Sequence, residues 1–188
     1  MKKGKPYILS APAGTGKTTL VNRLTQEVPH IVRNISYTTR RMRNGEVEGV
    51  DYHFISFQEF QHKIKKGDFI EYAEVFGNFY GTDKGSVERL LNLGKDVVLV
   101  IDTQGAMEIK AFFKGVYIFM GPPSFEELEK RLRNRMTETL DDIETRLAWA
   151  RKEIEHAEQY DYNIVNCDLE KTYTILKSIF IAEKHKVN

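Results

Sequence analysis

Apolar and polar positions along the chain follow two periods. Residues 5–10, around Pro6-Tyr7-Ile8-Leu9, form a short unbroken apolar run that predicts a buried strand. Residues 18–28 carry helical spacing and stop before Pro29, whose ring disfavours a helical predecessor. Ile31 to Ile35 predicts a second strand. From Ser36 to Lys84 the chain turns rich in Tyr, Phe, Arg, Glu and Gly, and predicts an inserted subdomain. Within it, residues 57–64 have helical spacing and residues 69–76 read as a strand ended by Gly77-Asn78. The core pattern then resumes, with a helix over 85–93. Residues 96–102, Asp-Val-Val-Leu-Val-Ile-Asp, are the strongest strand, and their apolar run suits a parallel strand covered on both faces. A helix over 104–113 and a strand over 116–120 follow. Beyond Gly121-Pro122-Pro123, Ser124 caps a helix, with Glu127 at capping-box spacing. Residues 131–146 are densely charged; a helix over about 140–160, a strand over 162–166 and a helix over about 169–185 complete the chain. Strands alternating with helices predict an α/β fold with a parallel sheet flanked by helices.

Composition narrows this little. The chain has 188 residues, 41% hydrophobic and 29% charged, with net charge +1. No chain-wide field points to nucleic acid or an anionic membrane, so neither is expected as a partner. No run approaches the ~20 apolar residues of a membrane span. The single cysteine, Cys167, cannot close an internal disulfide, and Met1-Lys2-Lys3 lacks the apolar stretch of a signal peptide. Both point to the cytoplasm. The five histidines lack metal-ligand spacing.

Local chemistry changes the picture. Ala11-Pro12-Ala13-Gly14-Thr15-Gly16-Lys17-Thr18, followed by Thr19, lies between the first strand and the first helix. It meets the phosphate-binding pattern G-x-x-x-x-G-K-[ST] except at its first position, where Ala11 stands. Gly14 and Gly16 let successive N–H groups converge on one anion at a helix N-terminus. Lys17 is placed for β- and γ-phosphates, and the Thr18 hydroxyl for Mg²⁺. Asp102 closes the strongest strand, where a carboxylate can hold Mg²⁺ or its waters, or else cap the next helix. The segment 36–43 gathers hydroxyls and three arginines, a pattern suited to bidentate phosphate binding.

With these residues in view, the sequence resembles the guanylate kinases, enzymes that phosphorylate GMP, from about residue 5 to residue 185. The resemblance is carried by Ser10-Ala11-Pro12 with Gly16-Lys17-Thr18; Thr38-Thr39-Arg40 with Arg43 and Gly45-Glu46-Val47; Gly49 to Phe54; Phe69-Ile70-Glu71; Gly77 to Thr82; Ile101 to Gly105; Pro122-Pro123-Ser124; and Ile164-Val165-Asn166. It implies a P-loop core (1–35, 84–130 and 151–188), a mixed α/β GMP-binding subdomain (36–83) and a helical lid (131–150). It further implies ATP and GMP as substrates, Mg²⁺ with the ATP, and no obligate protein partner. Arg40, Arg43, Tyr52 and Tyr80, with Ser36, would hold the GMP phosphate. Glu71 and Thr82 would read the guanine, and Asp102 would serve guanine or magnesium. Lys17 and lid arginines Arg131, Arg135 and Arg146 would be catalytic, with Asn166 on the adenine side. Guanine agrees with Glu71: its N1–H and exocyclic amine are adjacent donors, and a carboxylate only accepts. Two other readings stand beside this one: a kinase for another small phosphorylated substrate, and a non-catalytic binding module of the same family. Such modules typically lose the loop lysine, which Lys17 supplies here. The chain departs from the family pattern at Val100, Met42, Asn134, Met136 and Cys167.

Overall fold

The computed structural model describes residues 3–134 and 140–187. Its strands are β1 (Pro6–Ser10), β2 (Ile31–Arg33), β3 (Tyr37–Thr38), β4 (His53–Phe54), β5 (Phe69–Val75), β6 (Asn78–Asp83), β7 (Asp96–Val100), β8 (Val116–Gly121) and β9 (Tyr162–Val165). Its helices are α1 (Lys17–Glu27), α2 (Phe57–Lys66), α3 (Lys84–Asn92), α4 (Thr103–Lys110), α5 (Phe125–Arg133), α6 (Leu140–Glu155) and α7 (Leu169–Lys184). A five-stranded sheet has the order β2-β7-β1-β8-β9, with parallel pairing of β2 with β7 and of β8 with β9. A second sheet, β4-β3-β6-β5, is mixed. The expected α/β class and its added mixed sheet are therefore present.

Two compact units divide the chain, one of residues 1–8 and 29–116, the other of 9–28 and 117–188. In the first, α2 opens with a full capping box between Ser56 and Glu59 and ends at left-handed Gly67. Its fully buried Phe60 lies against Phe69, with ring centroids 4.7 Å apart. Gly81 has no side chain because a Cβ there would lie 3.0 Å from both rings. Strands β5 and β6 form a hairpin through Phe76 (φ 50°) and Gly77 (φ 71°), the paired positive φ values of a tight turn matched to strand twist. In the second unit, Leu128, Leu132, Ile143, Leu147 and Ala150 form the core between α5 and α6. There, Arg23 of α1 stacks 4.0 Å from the centre of the Tyr173 ring on α7.

Several sequence expectations change. Strand β7 ends at Val100, and Asp102 is the N-cap of α4, its Oδ1 accepting the Gly105 N–H at 2.8 Å. That bond satisfies a first-turn donor that no backbone carbonyl reaches. At α5, Ser124 accepts from the Glu127 amide, but the Glu127 carboxylate pairs with Arg131 at 3.1 Å instead of returning to the cap. Helix α4 stops at Lys110 and α6 at Glu155, before a 3₁₀ turn over Ala157–Gln159. Strands β3, β4 and β6 had no counterpart in the periodicity.

Candidate functional site

In the second unit, residues 11–19 wrap the start of α1. Gly14 and Gly16 both adopt the left-handed region, at φ 89° and 86°. The turn closes through Thr15, whose hydroxyl donates to the Pro12 carbonyl at 2.7 Å. Gly16 is the N-cap of α1 and supplies no side-chain acceptor, which leaves the helix start to an external anion. Lys17, half-buried, donates from Nζ to the Ala11 carbonyl across the loop. Ala11 and Pro12 are buried, Ala13 is partly so, and Thr18 and Thr19 are exposed.

Asn166 lies behind this loop. Its Nδ2 donates to the Thr15 carbonyl, and its Oδ1 accepts from Thr172 Oγ1 at 2.9 Å. The side-chain amide thus braces the loop from within the protein. Arg131 donates to the Asn166 carbonyl at 3.2 Å and to Glu127 at 3.1 Å. Arg146 is half-buried on α6. Arg135 lies outside the described residues, as does Met136.

In the first unit, two further groups form around the mixed sheet. Arg40 pairs with Glu46 at 2.7 Å and lies 5.5 Å from the centre of the Tyr52 ring. Tyr52 and Tyr80 meet edge to face at 5.8 Å. Burial raises the Tyr52 phenol above its ordinary pKa, with the neighbouring Tyr80 adding to the effect. Glu46 also accepts the Arg43 N–H at 2.7 Å, so one carboxylate sets both arginine positions. Burial opposes ionisation of Glu46, but Arg40 and the Arg43 amide outweigh it and hold its carboxyl below the usual range. The Arg43 guanidinium is exposed, and its charge also acts on Glu46. Ser36 is half-buried, and its carbonyl accepts the His53 N–H. This role of Glu46 was not among the expectations; its place three residues after Arg43 was the available signal.

The second group centres on Glu71. Strand register sets Glu71 directly opposite Thr82. The side chains are buried, Glu71 at 7% exposure and Thr82 at 0%, while the next residue, Tyr72, faces out at 44%. The Thr82 hydroxyl donates to Glu71 Oε1. Helix α4 packs over β5 at this point. Burial pushes the Glu71 carboxyl up to about 8; the Thr82 hydroxyl opposes this, and the charges of Asp102 and Glu108 add to it. Glu71 is therefore an inward acceptor held against a helix start.

A model of the guanylate kinase family matches residues 3–183. The chain is 52% identical over 187 residues to a guanylate kinase of Protochlamydia amoebophila, covering 100% of this chain and 95% of that protein. It is 44% identical over 185 residues to a guanylate kinase of Alkalilimnicola ehrlichii, covering 98% of this chain and 91% of that one. Among solved structures it is similar to the guanylate kinase from Anaplasma phagocytophilum, with TM-score 0.83 and 39% identity over 99% of this chain and 89% of that one. A shikimate kinase from Bacteroides thetaiotaomicron, 14% identical at TM-score 0.50, shares the fold alone. The family match spans both compact units and every residue group described above, and by it this chain belongs to the guanylate kinase family.

Proposed function

We propose that this protein transfers the γ-phosphoryl group of ATP to GMP, giving ADP and GDP, by direct in-line displacement. The observation that carries this reading is the inward-facing Glu71–Thr82 pair in a chain that keeps the loop lysine, Lys17. An ionised Glu71 accepts from guanine N1–H and the exocyclic amine, and Thr82 supports the same edge. Arg40, Arg43, Tyr52 and Tyr80, with Ser36, bind the GMP phosphate. The loop amides of residues 11–19 and Lys17 bind the ATP phosphates, with Asn166 bracing the loop on the adenine side. Positioning and charge neutralisation supply the catalysis, and no protein nucleophile is needed.

Mg²⁺ fits the residues at the start of α1. The Thr18 hydroxyl is exposed and, among the described residues, has no hydrogen-bond partner; it is the hard oxygen donor such an ion takes. Asp102, whose Oδ1 accepts the Gly105 amide, would hold the ion or its waters. When bound, the ion would offset the charge that develops on the ATP phosphates.

The same reading divides the chain into a core (1–35, 84–130, 151–188), a GMP subdomain (36–83) and a lid (131–150). On this reading Arg131, Arg135 and Arg146 would neutralise charge on the migrating phosphoryl group. Among the described residues no helix is long and apolar enough to cross a membrane; the proposed site of action is the cytoplasm.

The test is a coupled assay with Mg-ATP and a panel of nucleoside monophosphates. GMP is expected to be the preferred acceptor, and preference for AMP overturns the reading. Arg40→Lys and Arg43→Lys are each expected to raise the KM for GMP about tenfold or more with little change in that for ATP. Lys keeps the charge but loses the planar fork. Equal effects on both substrates would show that these arginines do not serve the GMP phosphate.

A further inference from the structure

We propose that Gly105 is a specificity-determining positioning residue: the missing side chain on the first turn of α4 is the notch in which the Glu71 carboxylate seats to read guanine. The proposal rests on the reading of Glu71 as the base reader. A Cβ at residue 105 would lie 2.6 Å from Glu71 Oε2, 3.3 Å from its Cδ and 3.7 Å from its Cγ. The end of the glutamate therefore lies directly on the Gly105 Cα.

The backbone does not demand glycine here. Gly105 is helical and is absent from the positive-φ residues, which include Gly14, Gly16 and Gly67. Alanine is the better helix former at an ordinary helical position. What remains to exclude a side chain is the contact with Glu71.

The helix backbone at 105 is fixed, so the carboxylate is the part that must move from where the site holds it. Gly105 is pinned by its amide bond to Asp102 Oδ1, and the next residue, Ala106, donates to the Asp102 carbonyl at 3.0 Å. Glu71 is held on its other side by the Thr82 hydroxyl, and its Cα register is set by the β5–β6 ladder. A methyl group at 105 must displace the carboxylate. The three atoms nearest that methyl all belong to Glu71.

The experiment compares Gly105→Ala, Glu71→Asp and the double variant, with GMP, IMP and AMP as acceptors at saturating Mg-ATP. Gly105→Ala is expected to lower kcat/KM for GMP by about tenfold or more, chiefly through KM, because misplacing a positioned group by about 1 Å can cost about 10²-fold. The GMP/AMP and GMP/IMP ratios shrink, and the KM for ATP and the melting temperature stay near wild type. Glu71→Asp withdraws the carboxylate by one methylene, so adding Gly105→Ala to it should alter the GMP/AMP ratio by less than about twofold, the non-additivity that marks direct contact. An unchanged GMP/AMP ratio in Gly105→Ala, or an equal penalty in both backgrounds, overturns the proposal. Should Gly105→Ala alone fold too poorly to assay, recovery of the wild-type melting temperature in the double variant upholds the contact, and no recovery overturns it. Glu71→Gln separates the two levels of inference. A lost GMP/AMP preference there with an unaffected Gly105→Ala sinks only the role of Gly105; a retained preference sinks the reading of Glu71 and this proposal together.

Discussion

Lys17→Ala is expected to lower kcat by about 10²–10³-fold or more, the scale of losing one preorganised electrostatic donor. The melting temperature should move little. The reason lies in the loop. Gly14 and Gly16 turn the backbone so that α1 begins without a side-chain cap, and Lys17 is the cation that reaches over that opening. In the free protein its Nζ donates to the Ala11 carbonyl at a half-buried position. Such a bond contributes on the order of 1 kcal/mol to stability. In the transition state the same ammonium neutralises charge on the migrating phosphoryl group, where water is excluded and its effect is larger. Turnover at saturating ATP and GMP, with thermal melting of both proteins, checks this. A variant that turns over within a few-fold of wild type removes Lys17 from the catalytic machinery.

Glu71→Gln should reduce kcat/KM for GMP and shrink the GMP/AMP ratio, because the amide offers one acceptor and an unwanted donor where guanine presents two donors. Where Glu71 is ionised, AMP presents it with an unprotonated N1 and no 2-amino group. Sites built on such pairing reject the unpaired analogue by about 10⁴–10⁵. IMP, which keeps N1–H, should fall between the two. The pH dependence follows from the same residue. With its carboxyl pushed up to about 8, Glu71 is largely protonated in the free protein at neutral pH, and guanine needs the ionised form. The wild-type kcat/KM for GMP should therefore rise through about pH 8 and level off about one unit above it, reporting the free enzyme. The GMP phosphate also titrates near pH 6, but equally for both proteins. The limb unique to wild type is thus the one that Glu71→Gln abolishes.

Stability should run the other way. A folded carboxyl pKa of about 8 lies above the unfolded value near 4.5. Its favourable contribution is complete below the lower value and is lost as pH rises through the upper one. The melting temperature of free Glu71→Gln should then gain on that of wild type as pH rises from about 4.5 to about 8, with no further change above. A variant that keeps both the GMP/AMP ratio and the rising pH limb would show that guanine is read elsewhere.

These two residues also divide what was legible from what was not. The phosphate loop is contiguous, and its chemistry depends on glycines, a lysine and a hydroxyl at fixed offsets, so residues 11–19 could be read directly. The buried strands β1, β7 and β8 were legible for a similar reason, since an unbroken apolar run has few places to go in water. Strand β6 was not legible. Asn78, Gly81 and Asp83 are poor strand formers, and Gly77-Asn78 reads as a terminator. The strand exists because the Phe76-Gly77 turn folds it onto β5 and because Phe60 and Phe69 leave room only for glycine at position 81.

The sequence by itself thus determined the α/β class, the order of the core elements and the loop around Lys17, because each is written in neighbouring residues or in a period. Only the tertiary structure decided that Glu71 faces inward, that it stands opposite Thr82 and that it rests on Gly105. The alternation Glu71-Tyr72-Ala73-Glu74 permits either face to be buried, and a shift of one residue in register would reverse it. The choice came from α4, more than thirty residues further along the chain, covering one face of β5. Asp102 needed less: the cap was one of two readings its position allowed, and the strand itself ends earlier, at Val100.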